Sequence, residues 1–186
     1  MTIKTDYVLD AKGLACPMPI VKTKKALKDL ASGEVVEILA TDAGSTADLK
    51  AWAGSTGNHY LGTVQEGEVW KHYIRKKGGE DREEMSYPKT VKNEELGKRL
   101  DDMITIIDVR EHAEYAFNHI PGAISIPLGS LENRLEELQK EDEIYVVCRT
   151  GNRSDMAAQL LSKHGFANVT NVLPGMSDWQ GKTESL

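Results

Sequence analysis

Two residues in this 186-residue chain have the chemistry of a nucleophile in a shaped setting, Cys16 and Cys148, and they are its only cysteines. Two thiols so far apart cannot form the disulfide framework of a small secreted protein, so each is read from its own surroundings. Around Cys148 the order is an apolar run, Ile144-Tyr145-Val146-Val147, then Cys148-Arg149-Thr150-Gly151-Asn152-Arg153-Ser154, then an amphipathic stretch with Met156, Ala157, Leu160 and Leu161. That is a strand, a tight loop and a helix. No residue from Arg149 to Ser154 is proline, so every backbone N–H is available, and Gly151 lets the loop close into a cradle of inward-pointing amides. The helix behind it adds the positive end of its dipole, and Arg149 and Arg153 add charge. A cysteine held this way should exist largely as thiolate, the species that attacks sulfur or phosphorus. The plainer reading, a small apolar residue at a strand end, needs neither an all-donor loop nor two arginines.

Cys16 sits in Leu9-Asp10-Ala11-Lys12-Gly13-Leu14-Ala15-Cys16-Pro17-Met18-Pro19, directly before a second helical pattern. Pro17 suits the first helical position, because its fixed φ is helical and its missing N–H would be unpaired there. Cys16 is then the N-cap, and the dipole should make it moderately acidic. Pro17 and Pro19 remove two of the first donors and leave Met18 and Ile20, whereas the Cys148 loop loses none. Cys148 is therefore expected to be the more acidic thiol. Taken alone, Cys-Pro reads equally well as a helix start marked by proline. His59, His72, His112 and His164 show no ligand spacing, so neither a metal nor another cofactor is expected. Lys22, Lys24, Lys25 and Lys28 read as a solvated helix face, and Trp52, Trp70 and Trp179 as core residues.

The elements that must position the two thiols fall into two groups. Lys76 to Ser86 reads KKGGEDREEMS, a glycine pair followed by a charge run, which is the composition of a boundary. The expected organisation is 1–75, a charged linker 76–86, and 87–186, with net charges of 0, −1 and −5. In the first unit, strands at Tyr7–Leu9, Glu34–Ala40, Tyr60–Val64 and Val69–Arg75 alternate with helices over Pro17–Ala31 and from Ser45 through Trp52. Ser45-Thr46-Ala47-Asp48 looks like a capping box. The order βαβαββ implies a two-layer sandwich with both helices on one face. In the second unit, strands at Thr105–Asp108, Ile144–Val147 and Val169–Val172 alternate with helical patterns at Asn93–Leu100, Glu111–Phe117, Leu131–Leu138 and Ser154–His164. That predicts an α/β unit, a parallel sheet flanked by helices, with its ligand beyond the carboxyl ends of the strands.

Apolar residues at 40% and charged residues at 28% are the balance of a folded globular protein. No run reaches the ~18 apolar residues of a membrane helix, and Met1 to Asp10 lacks the apolar core of a signal peptide. A net charge of −6 without a basic tract gives no footprint for nucleic acid. The expectation is a cytoplasmic protein that binds neither membrane nor nucleic acid.

The Cys148 segment resembles the rhodanese family of sulfurtransferases, whose single-domain members carry a CRTGNRS-like loop after a strand. Asp108-Val109-Arg110-Glu111 resembles that family's D-x-R-E, His119-Ile120-Pro121-Gly122-Ala123 its H-I-P-G-A turn, and Pro174-Gly175 through Trp179 its closing G-x-x-x-W, so the resemblance covers Tyr87 to about Gln180. Asn118 and Pro174 stand where glycine is frequent, departures that touch turn geometry. The resemblance implies a persulfide cycle in which Cys148 attacks the outer sulfur of a donor such as thiosulfate, keeps it as Cys–S–S⁻ and releases sulfite. The amide cradle suits such a cycle, because preorganised donors stabilise the thiolate and then the terminal sulfur. Asp108, Arg110 and His119 are expected to support the loop. A cysteine phosphatase is the alternative for such a loop. Its relatives with this fold typically place five residues between cysteine and arginine, whereas four separate Cys148 from Arg153.

The first unit, from about Tyr7 to Arg75, resembles the TusA/SirA-like sulfur carriers in L-D-A-K-G-L-A-C-P-M-P, Thr41-Asp42, Trp52 and Tyr73-Ile74-Arg75, with Lys12 in place of a frequent arginine. That resemblance makes Cys16 a persulfide-bearing cysteine supported by Pro17 and Met18. Together the two imply a relay: a small donor, thiosulfate or a persulfide, loads Cys148, sulfur moves to Cys16, and a thiol or protein acceptor receives it. A flexible 11-residue tether spans ~18 Å, which permits transfer within a chain, and transfer between the chains of a homodimer fits the same sequence. A reversible Cys16–Cys148 disulfide in a redox or partner-binding protein is the third reading.

Overall fold

The structure, a computed structural model, describes residues 2–78 and 84–186. The middle of the expected linker, 79–83, lies outside the described residues. The chain divides into two compact units, 1–79 and 80–186.

The first unit runs β1 (Tyr7–Asp10), α1 (Met18–Asp29), β2 (Val35–Ala40), α2 (Ser45–Thr56), β3 (His59–Glu66) and β4 (Val69–Arg75). Its sheet has the order β1-β2-β4-β3, with β1 parallel to β2 and the other pairs antiparallel. Because side chains alternate along a strand, Val36 and Ile38 of β2 share a face with their cross-strand partners Ile74 and His72. Leu27 of α1 and Leu49 and Ala53 of α2 close a core over Val36, Ile38 and Ile74, so both helices lie on that face. Each large aliphatic side chain buried there contributes roughly 1.5–3 kcal/mol.

The start of α2 departs from the expected capping box. Gly44 is its N-cap, and Ser45 lies inside the first turn, where its hydroxyl donates to the Asp42 carbonyl at 2.6 Å. The same oxygen is 2.8 Å from Nε2 of the fully buried His72. Since the Ser45 proton is already given to Asp42, His72 Nε2 is the donor in that contact. Nδ1 is then free to accept from the hydroxyls of Tyr60 at 2.9 Å and Thr63 at 3.0 Å. Burial holds His72 neutral, its pKa lowered to about 4.

The second unit runs β5 (Thr90–Lys92), α3 (Asn93–Gly97), β6 (Thr105–Asp108), α4 (His112–Phe117), β7 (Ile124–Ser125), α5 (Leu128–Leu131), a 3-10 segment (Glu132–Glu137), β8 (Ile144–Val147), α6 (Asn152–Lys163), β9 (Val169–Leu173) and a 3-10 turn (Met176–Asp178). All five strands are parallel, in the order β5-β9-β8-β6-β7. Both faces are covered. Ile144 and Val146 point into a core with Ala157 and Leu161 of α6, and Tyr145 and Val147 into another with Leu96, Ile120 and Val172. This is why β8 reads as a continuous apolar run rather than an alternating one.

Three local differences separate this unit from expectation. Edge strands β5 and β7, three and two residues long, are too short to show alternation. The helix expected over Leu131–Leu138 is a 3-10 segment, with Arg134 at φ −123° donating to the Ser125 carbonyl at 3.0 Å and pairing with Glu137. Helix α6 starts at Asn152 rather than Ser154, so Arg153 and Ser154 belong to its first turn. Among the described residues no helix is long and apolar enough to cross a membrane.

Candidate functional site

Cys148 follows β8 on the parity of Ile144 and Val146, which directs its side chain to the α6 side of the sheet. It is 1% exposed. Its Sγ accepts the Gly151 N–H at 3.1 Å and the Ser154 hydroxyl at 3.3 Å. Gly151 reaches that position with φ +98°, a left-handed conformation that only glycine takes readily, and it serves as the N-cap of α6. Its carbonyl accepts Asn171 Nδ2 at 3.2 Å and lies 3.0 Å from Ser154 Oγ, where it is an alternative acceptor to Sγ for the one hydroxyl proton. The sulfur thus sits at the positive end of a helix, with two donors aimed at it.

The outer side of the loop is clamped by the segment after β9. Met176 N–H donates to the Cys148 carbonyl at 2.8 Å, and Ser177 N–H to the Arg149 carbonyl at 2.9 Å. Asn93 brackets Gly175, donating to its carbonyl at 2.9 Å and accepting its N–H at 3.1 Å. The approach is so close that a Cβ on Gly175, at φ +101°, would stand 2.4 Å from the Cys148 carbonyl oxygen.

The two arginines of the loop differ. Arg153 is buried and meets Glu114 in a two-pronged pair, Nη1 to Oε2 at 2.7 Å and Nη2 to Oε1 at 3.0 Å. Burial opposes its charge, but Glu114, and after it the Cys148 sulfur, outweigh that and hold its pKa above the ordinary arginine value. Arg153 thus acts on Cys148 through its charge while its Nη1 and Nη2 face Glu114. Arg149, Thr150 and Asn152 are half-buried on the outer part of the loop. Thr150 borders a groove of about 380 Å³ lined also by Met85, Lys92, Leu173 and Pro174.

Asp108 and Arg110 form a buried ion pair at 2.6 Å. Arg110 also donates to the Asn118 carbonyl at 2.7 Å, and Asn118, at φ −160°, is in extended backbone that any residue adopts. His119 stacks on Tyr115 with ring centroids 3.7 Å apart, and its Nδ1 lies 2.8 Å from the Tyr115 carbonyl. These groups brace the segments around α4.

Cys16 lies elsewhere than the sequence suggests. Pro17 is the N-cap of α1, the helix begins at Met18, and Cys16 precedes the cap by one residue. Met18 N–H donates to the Ala15 carbonyl at 3.0 Å rather than to the thiol. The loop before it is tied to the end of β2, with Gly13 N–H donating to Thr41 Oγ1 at 2.9 Å and Ala11 N–H to the Leu39 carbonyl at 2.8 Å. Cys16 is exposed, at the edge of a small depression shared with Asp42, Ser45, Asp48 and Leu49. The Asp48 carboxylate acts on its thiol proton, and that interaction, some loss of hydration and the charges of Asp48 and Asp42 push its pKa up. The moderate acidity expected from the helix dipole is therefore corrected: Cys16 stands outside the cap of α1, and the carboxylates of Asp48 and Asp42 raise the thiol pKa.

Glu114, Gly175 and Asp48 escape sequence reasoning as site residues. A glutamate three residues after Glu111 is visible as a capping pattern, and it does accept the Glu111 N–H at 3.0 Å. Its pairing with Arg153 across 39 positions leaves no local mark.

A family model for sulfurtransferase TusA matches residues 7–76, and one for a rhodanese-like domain matches residues 92–182. Over 184 residues, 98% of this chain and 100% of the relative, the chain is 55% identical to a protein of Bacillus subtilis (strain 168) named "Putative sulfur carrier protein YrkF". It is 44% identical over 71 residues, 38% of this chain and 93% of the relative, to the sulfur carrier protein TusA of Allochromatium vinosum. The crystal structure of a rhodanese-like domain protein from Staphylococcus aureus is similar with a TM-score of 0.50 and 30% identity, covering 53% of this chain and 99% of that one.

Proposed function

Since the chain belongs to the family of proteins that join a TusA domain to a rhodanese-like domain, we propose that its sulfur transfer runs as a relay from Cys148 to Cys16. In the first step the Cys148 thiolate attacks the outer sulfur of thiosulfate or of a low-molecular-weight persulfide. A new S–S bond forms, the donor's own bond to that sulfur breaks, and sulfite or a thiolate leaves with the electron pair. In the second, exposed Cys16 loses its proton to solvent and its thiolate attacks the outer sulfur of the Cys148 persulfide; an S–S bond to Cys16 forms, the bond to Cys148 breaks, and its electron pair returns to Cys148 Sγ. A thiol or protein acceptor then takes the sulfur from Cys16.

The observation that carries this reading is the pair of donors on Cys148 Sγ, Gly151 N–H at 3.1 Å and Ser154 Oγ at 3.3 Å. They hold negative sulfur before the first step and receive it again as leaving group in the second, without reorganising. The field of Arg153 adds to this, and Arg149, Thr150 and Asn152 border the approach. Asp108 and Arg110, paired with each other and tied to Asn118, are assigned a supporting role. The groove beside Thr150 has room for the organic part of a persulfide donor. The phosphatase alternative is less well supported, because the arginine that would clamp a phosphate is committed to Glu114.

The relay requires the two loops to meet, either within one chain across 76–86 or between two chains of a dimer, and a reducing cytoplasm keeps both thiols available. Intact-mass measurement after incubation with thiosulfate tests the first step. A gain of about 32 Da per stored sulfur, reversed by dithiothreitol, is expected for wild type. Absence of that gain in wild type, with release of phosphate from an aryl phosphate, would favour the phosphatase instead.

A further inference from the structure

The surroundings of the two thiols are of opposite character. Cys148 is met by an amide, a hydroxyl and the field of an arginine. Cys16 is met by carboxylates: Asp48, in the first turn of α2, and Asp42 border it, and the charges of both act on its thiol. Both line the depression in which Cys16 sits. The charges that act on the Cys16 thiol are those two carboxylates, whereas Lys12 Nζ lies 3.5 Å from the Asp10 carboxylate and Lys22 Nζ 3.5 Å from the Asp10 carbonyl. The arrangement is built in. Ser45, three residues before Asp48, is fixed between the Asp42 carbonyl and buried His72, and Asp42 accepts the Gly44 N–H at 3.2 Å.

We propose that Asp42 and Asp48 are specificity-determining residues that close Cys16 to small, doubly charged sulfur donors and acceptors, sulfite above all. The inference rests on the relay proposed above and addresses a chemical problem within it. Sulfite released at Cys148 can reverse the reaction at any exposed persulfide: it attacks the outer sulfur, forms the S–S bond of thiosulfate, and breaks the bond to cysteine, whose sulfur keeps the electron pair as thiolate. An exposed Cys16 persulfide would be stripped in this way by the by-product of its own loading. Two carboxylates beside it repel a doubly charged nucleophile more strongly than the singly charged thiolate of an otherwise neutral thiol, and they equally keep thiosulfate from loading Cys16 directly. Sulfur then enters at Cys148 and leaves from Cys16 to a protein or otherwise neutral thiol.

The test uses the full chain with Cys148→Ser, so that Cys16 is the only thiol, loaded with a small alkyl hydropersulfide, which carries at most one negative charge against the two of sulfite or thiosulfate. Loss of the stored sulfur is followed by intact mass under sulfite and, separately, under dithiothreitol. Stripping by sulfite is expected to be ~5-fold or more faster in Asp48→Asn, and faster again with Asp42→Asn added, while the dithiothreitol rate changes less than about twofold. With both aspartates present, the sulfite rate should rise as salt is added, because screening weakens repulsion between like charges. This arm needs no substitution in the acidic pair. Equal sulfite rates with and without the carboxylates, or a sulfite rate indifferent to salt, would overturn the guard. A Cys16 that accepts no sulfur from the hydropersulfide would instead overturn the relay itself.

Discussion

Arg153 and Glu114, 39 residues apart, face each other with both ends of the guanidinium fork engaged, at 2.7 and 3.0 Å, and both side chains are buried. The pair welds the first turn of α6, which carries Ser154, to α4. Removing one member leaves the other charge buried without its partner, typically at a cost of ~3–5 kcal/mol. Glu114→Gln should therefore lower the unfolding free energy of the rhodanese-like unit by about 3 kcal/mol, measured by urea denaturation followed at Trp179 with Trp52→Phe and Trp70→Phe in the background of both proteins. A loss below about 0.5 kcal/mol would mean the pair contributes little. Replacing both residues by apolar ones of similar volume should recover most of the loss.

Gly175 has no room for a side chain. Alanine there would place its Cβ 2.4 Å from the Cys148 carbonyl oxygen and would need φ near +101°. The contact is to backbone, so the loop itself must move. Gly175→Ala should reduce thiosulfate-dependent loading of Cys148 by at least tenfold while the unit stays folded by circular dichroism. Unchanged loading would show that the clamp by Met176 and Ser177 does not govern the position of the sulfur.

Ser154 supplies one of the two donors on Cys148 Sγ, at 3.3 Å, and its hydroxyl is also 3.0 Å from the Gly151 carbonyl. A single neutral hydrogen bond is worth about 1 kcal/mol, and one to a charged group about 1.5–3 kcal/mol. Ser154→Ala should slow single-turnover loading from thiosulfate by roughly 10-fold, with Ser154→Thr recovering part of it. If alanine loads as fast as wild type, the hydroxyl braces the helix turn without acting on sulfur.

His72 makes the first unit sensitive to acid. Its pKa falls from 6.5 to about 4 through burial. The unfolded chain therefore binds a proton more readily than the folded one between those values. The stabilisation is complete above pH 6.5 and is lost as pH drops toward 4, by at most about 3 kcal/mol. Hydrogen exchange of β4 amides should show this decline, and the decline should be smaller in His72→Gln. Parallel pH profiles for the two proteins would contradict the assignment.

These predictions rest unevenly on what the sequence discloses. The strand, loop and helix around Cys148 are legible because the signals are local: an apolar run covered on both faces, a glycine at the turn, and an amphipathic stretch after it. The βαβαββ order of the first unit is legible for the same reason. Distances across the fold are not. Arg153 reads as an open charge until Glu114 is seen against it, and Gly175 reads as a turn glycine until the Cys148 carbonyl is seen beside it. Cys16 is the sharpest case. Its neighbours in sequence, two prolines and a helix start, suggest an acidic thiol, whereas Asp48, 32 positions away, makes it a proton-holding one. The edge strands Thr90–Lys92 and Ile124–Ser125 escape because two or three residues carry no period.

The relay itself is tested most directly by following where sulfur appears first. Wild type, Cys16→Ser and Cys148→Ser are given thiosulfate, quenched with an alkylating agent at successive times and digested, and the two cysteine peptides are read for an added sulfur, about 32 Da. The account predicts that sulfur appears on Cys148 before Cys16 in wild type, accumulates on Cys148 in Cys16→Ser, and fails to reach Cys16 in Cys148→Ser. A Cys148→Ser protein that loads Cys16 from thiosulfate as fast as wild type would contradict both the direction of the relay and the role assigned to Cys148.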